Sequence, residues 1–87
     1  MSEQMTAINL LNHHAAKRLR QLREQLGMSR PKFADLLGIP PTTLKNYELG
    51  YREVGGGLFL LIANHADLKQ HLDWLLTGQA PNQIAEA

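Results

Sequence analysis

The sequence predicts an all-α domain built from five short helices. Three observations carry this. Apolar residues recur at spacings of three and four along most of the chain, and no stretch alternates as a strand would. Glycines and capping residues divide that pattern into short segments, with Gly27, Gly38, Gly50 and Gly78 as stops. The chain has 87 residues, 44% hydrophobic and 20% charged, which suits one small core.

In the first helix Ile8, Leu11, Ala15, Leu19, Leu22 and Leu26 form one apolar stripe that ends at Gly27. Its firmest part runs from about residue 12 to residue 26, with Asn12 as candidate N-cap. Residues 5–11 either extend it or form a separate arm. Ser29 caps the second helix, from Arg30 to Leu37, with Phe33, Ala34 and Leu37 inward. Pro31 is tolerated because its missing N–H falls in the first turn. Gly38 stops this helix and Ile39 plugs the turn. Pro40-Pro41 opens the third helix, which runs to Leu49 with Leu44 and Tyr47 inward and Gly50 as its stop. After Gly55-Gly56-Gly57 comes a fourth, very apolar helix from Leu58 to Asn64. Asp67 is the candidate cap of a fifth, from about Leu68 to Leu76. The expected division is therefore an N-terminal arm or helix extension (1–11), a folded domain (12–78) and a frayed tail (79–87).

Residues 28–50 thus read as two short helices joined by a tight turn, the pattern of a helix-turn-helix. The third helix opens on Pro41, Thr42 and Thr43, short residues free of bulk. Lys45 and Asn46 lie one turn further on the same outward side. An α-helix fits the DNA major groove, where Asn pairs bidentately with adenine, Lys donates to guanine, and a Thr methyl packs on thymine. These five are the candidate base-contacting residues, although Pro41 has no donor to offer.

Charge distribution agrees. The net formal charge is only +1, but residues 1–52 carry eight basic against four acidic residues, whereas residues 53–87 carry one against four. One positive and one negative half suggest a face for a polyanion and another for something else; solvated helix faces can also produce such an imbalance.

Several chemistries find no support. The chain has no cysteine, so disulfides and thiolate metal sites are excluded. His13-His14 and the pair His65 and His71 lack ligand spacing, and no metal or other cofactor is expected. The glycine run follows no strand and precedes no Lys-Ser/Thr, so it is no nucleotide loop. No nucleophile elbow or carboxylate dyad is present, and no enzyme is expected. The longest apolar run, Leu58 to Ala63, is far too short to cross a membrane, and no signal peptide is evident; the expected compartment is the cytoplasm.

Arg23, Ala34, Gly38, Ile39, Leu44, Tyr47-Glu48, Gly50 and the ending Asp73-Trp74-Leu75-Leu76-Thr77-Gly78 form an ordered set. With it, residues 17–78 resemble the lambda-repressor-like (XRE/Cro-type) helix-turn-helix family. The length and the segment GIPPTTLKNYELG are similar to the short immunity (C-type) repressors of temperate and filamentous prophages. The resemblance implies a five-helix domain that binds double-stranded DNA. It implies that Arg30 clamps a backbone phosphate, and that Arg23 and Glu48 form a partly buried ion pair between the first and third helices. Lys32, Tyr51 and Arg52 are further phosphate candidates. Gly56 and Gly57 either let backbone amides approach a phosphate or serve as a flexible connector. Relatives often carry Gln where this chain has Pro41, so a base contact there is a departure from the family pattern.

Apolar residues outside the motif exceed what so small a domain easily buries. Ile8 and Leu11 precede it and Leu68, Leu72, Trp74 and Leu75 follow it, and these predict a homodimer interface with the fifth helix as its main seam. Trp74 also reads as a core residue. The leading expectation is a sequence-specific repressor that binds a palindromic operator as a homodimer and is antagonised by falling concentration or an antirepressor protein. The alternative is an antitoxin-like regulatory module whose main partner is a protein, against which the short tail without apolar anchors weighs.

Overall fold

A computed structural model describes residues 6–79. Five α-helices follow one another: α1 (Ala7–Gln25), α2 (Arg30–Leu37), α3 (Pro41–Glu48), α4 (Gly56–Ala63) and α5 (Leu72–Thr77). A single 3₁₀ turn, Lys69–His71, leads into α5, and there is no strand among the described residues. The all-α, five-helix expectation holds.

The first helix begins earlier than its firmest pattern suggested. Thr6 is the N-cap, its hydroxyl accepting from the Asn9 amide at 3.1 Å. Residues 7–11 are therefore the opening turns of α1, the extension that the sequence left open beside a separate arm. Asn12 is not a cap. Its side-chain oxygen instead accepts from the Val54 amide at 2.6 Å, tying the loop before α4 to the flank of α1. Asn at a helix start and Asn in a helix serving a distant amide look the same in sequence, because only the fold brings Val54 near.

The helix-turn-helix follows its residues closely. The Ser29 hydroxyl accepts from the Lys32 amide at 3.3 Å, capping α2 with Pro31 in its first turn. Gly38 ends α2 at φ +79°, a left-handed conformation that costs a side-chain-bearing residue about 1 kcal/mol or more. Its amide and that of Ile39 both reach the Ala34 carbonyl, so the chain reverses within three residues and α3 packs across α2.

One core joins all the elements. Leu19 and Leu22 of α1, Phe33 and Ala34 of α2, Leu44 of α3 and Ile62 of α4 have no exposed surface. Each fully buried large side chain among them contributes about 1.5–3 kcal/mol of transfer free energy. The apolar stripe of α1 outruns this core: Ile8 and Leu11 are 67% and 62% exposed.

The C-terminal part departs most from expectation. Helix α4 starts at Gly56, two residues early, which makes Gly56 and Gly57 helical rather than a connector. The expected fifth helix is broken into turns, a 3₁₀ segment and the six-residue α5. Asp67 caps nothing; its amide donates to Nδ1 of His65 at 3.1 Å. Arg18 anchors the short helix by donating through Nε to the Leu75 carbonyl (2.9 Å) and through Nη2 to that of Leu76 (3.3 Å). Gly78 makes this possible: it adopts φ +71°, and a Cβ there would meet Arg18 Nη1 at 3.0 Å.

Leu68 and Leu75, expected at a subunit interface, are 1% and 0% exposed. They are core residues and have no surface to offer a partner. Leu72 and Trp74 are half-buried and pack against the same core. Of the proposed tail only Gln79 is described, its amide donating to the Thr77 hydroxyl; residues 80–87 lie outside the described residues.

Candidate nucleic-acid interface

Helix α3 has one face in the core and one in solvent. Leu44, Tyr47 and Glu48 are buried; Pro41, Thr42 and Lys45 are exposed, and Thr43 and Asn46 are half-buried. The outward side therefore carries short polar residues at its N-terminal end and an amine and an amide one turn on. This is the chemistry that major-groove edges accept. Pro40 supplies no side-chain cap to α3, and Pro41 occupies its first turn, where a missing N–H costs nothing.

The turn after α3 is drawn tightly back. The Asn46 carbonyl accepts from the amides of Tyr51 (2.9 Å) and Arg52 (3.1 Å). Tyr51 consequently stands in solvent, 75% exposed, and Arg52 lies with its guanidinium carbon 5.3 Å from the centre of the Tyr47 ring. Lys32, on α2, is exposed. Gly56 and Gly57, exposed in the first turn of α4, leave nothing within 4 Å of a Cβ position. First-turn amides have no partner within their own helix, and these are not shielded by side chains.

Glu48 is the electrostatic centre of the motif. Its carboxylate has no exposed surface, yet it accepts from two arginines. Arg23 donates through Nε at 2.7 Å and through Nη2 at 3.2 Å, and its Nη1 donates to the Met28 carbonyl at 3.0 Å. Arg30 donates through Nε at 2.9 Å. The Arg23–Glu48 pair that the resemblance implied is formed. The second arm has no counterpart in what the resemblance implies. Arg30, a phosphate candidate by its sequence position, also helps neutralise a buried carboxylate. Its position at the head of α2 signals either role equally, and only the packing of α2 across α3 brings it to Glu48.

No group of three or more metal-ligating side chains occurs among the described residues, and none of their helices is long and apolar enough to cross a membrane. No curated protein and no solved structure matches the chain at a significant level. The helix-turn-helix family model HTH_3 matches residues 19–69, more than half of the chain and the whole span from the middle of α1 to the 3₁₀ turn. With the ordered motif, the two helices at a tight turn and the polar outward face of α3 in place, the chain belongs to this helix-turn-helix family of lambda-repressor-like, DNA-binding regulatory domains.

Proposed function

We propose that the protein is a sequence-specific transcriptional repressor that binds a palindromic operator as a homodimer, in the manner of a prophage immunity repressor. The observation that carries this is the outward side of α3, which bears Thr42, Thr43, Lys45 and Asn46, with exposed cations on α2 (Lys32) and in the following turn (Arg52). One such helix reads only a few base pairs, and two-fold symmetry doubles the contacts.

A second copy is the partner that the apolar surface favours. Ile8, Leu11, Ala15, Val54, Phe59 and Leu76 line a groove of about 210 Å³ between α1, α4 and α5. Ile8 and Leu11 in its lining are themselves largely exposed, so one patch offers both apolar side chains and a groove to receive them, as a self-complementary isologous interface requires. Half-site centres then lie ~10 base pairs apart, or a multiple of that. A footprint of the protein on the DNA upstream of its own coding sequence tests the operator. A protected, two-fold-related site supports the reading, and uniform coating of the duplex refutes it. Sedimentation tests the pairing: the chain is expected to dimerise, and Leu11→Asp to leave a monomer with an unchanged fold.

A further inference from the structure

We propose that Tyr47 and Glu48, the last two residues of α3, are positioning residues that hold Arg52 and Arg30 ready for duplex phosphates. The inference rests on the DNA-binding reading above but concerns residues that touch no DNA themselves.

The charge balance around Glu48 is uneven. One carboxylate with no exposed surface faces two guanidiniums, so the cluster carries a surplus positive charge. The surplus belongs to Arg30. Arg23 is 12% exposed and places three N–H groups on protein acceptors, whereas Arg30 is 30% exposed and uses only Nε. A guanidinium bound through Nε keeps both Nη groups, a planar fork suited to a phosphate. Glu48 thus fixes the orientation of Arg30 without consuming its binding end. A lysine has one nitrogen and no planar fork, so an ammonium drawn to Glu48 cannot also offer a phosphate a bidentate contact.

Tyr47 treats Arg52 in a comparable way. Tyr47 is 9% exposed and packs in the core, and the Arg52 guanidinium lies over its ring at 5.3 Å. Stacking on a ring face leaves every N–H of the guanidinium free, and the Arg52 amide is already tied to the Asn46 carbonyl. Two adjacent residues on the inward side of α3 therefore orient cations at the head of α2 and in the turn beyond α3, while the outward side of the same helix faces the bases. Less side-chain entropy is lost when arginines held in this way meet a phosphate.

The test uses the full chain and a random-sequence duplex of roughly 20 base pairs at low salt, where phosphate contacts dominate binding. Binding is followed by fluorescence anisotropy, with circular dichroism confirming that each variant is folded at the assay temperature. Arg30→Lys, which keeps the charge, is expected to lose affinity about tenfold, nearly as much as Arg30→Ala, the loss of one charge-assisted contact. Tyr47→Phe, which keeps the ring face, is expected to bind as the parent does. Tyr47→Leu is expected to lose about threefold, the scale of an exposed cation–π contact, and to lose nothing further when added to Arg52→Ala. An Arg30→Lys protein that binds like the parent overturns the role of Glu48. A Tyr47→Leu effect of the same size with and without Arg52 makes Tyr47 merely structural. A parent chain that does not bind the duplex at all overturns the DNA-binding reading and this inference together.

Discussion

Replacing Arg23 by alanine measures what the buried ion cluster is worth. The substitution removes three hydrogen bonds at once, two to Glu48 at 2.7 and 3.2 Å and one to the Met28 carbonyl at 3.0 Å. A buried carboxylate left wholly unpaired costs about 3–5 kcal/mol. Glu48 is not left wholly unpaired, because Arg30 still donates to its Oε1 at 2.9 Å. Only Oε2 loses its sole partner. The expected destabilisation is therefore lower, about 2–3 kcal/mol. For a domain of this size each kcal/mol corresponds to roughly 4–8 °C, so the melting temperature should fall by roughly 10–20 °C. Thermal and urea unfolding followed by circular dichroism at neutral pH measure both quantities. The Arg23→Ala/Arg30→Ala double variant, which strands the whole carboxylate, should lose more than the sum of the two single changes. If Arg23→Ala lies within about 0.5 kcal/mol of the parent, the range of an ordinary surface change, the cluster does not hold α1 to α3.

Other expectations follow from single contacts. Asn46→Ala should weaken operator binding by about 1–3 kcal/mol and relax preference at one base pair, as read by binding-site selection; an unchanged preference would displace the reading helix from the groove. Asn12→Ala strands the buried Val54 amide, 2.6 Å from its acceptor, and should cost about 1–3 kcal/mol in urea unfolding. His71 is 3% exposed, its Nδ1 has no hydrogen-bond partner, and burial pushes its pKa below the ordinary value of 6.5. The unfolded chain then binds the proton more readily than the folded one, so the contribution is complete above pH 6.5 and is lost as the pH falls below it. His71→Leu should flatten that acid-side decline, and a decline that persists unchanged would assign it to other groups.

The helix-turn-helix was legible because its signals are local. Ser29 as cap, Pro31 in a first turn, Gly38 at positive φ and the inward spacing of Phe33, Ala34, Leu37, Leu44 and Tyr47 each act within one or two turns of chain. The outward placement of Thr42 and Lys45 follows from the same period of 3.6. Beyond Gly50 the local signals thin out. The fourth helix is apolar on all sides, so its phase carries little information, and three glycines conceal its start. The fifth has too few turns for spacing to distinguish a continuous helix from a 3₁₀ turn followed by a short α-helix.

The fold class, the motif with its family, and the outward side of α3 all depend on residues near one another in the chain, and the residues alone therefore carry them. The contacts between distant segments come only from the packing of the helices. Asn12 serves the Val54 amide 42 residues away, Arg18 holds the end of α5 across 57 residues, and Arg30 joins Arg23 on a carboxylate 18 residues further on. Leu68 and Leu75 were drawn into the core rather than left on the surface for the same reason. A side chain's type states which bonds it can make, but the partner is set by how the helices pack, and no periodicity within one helix encodes that.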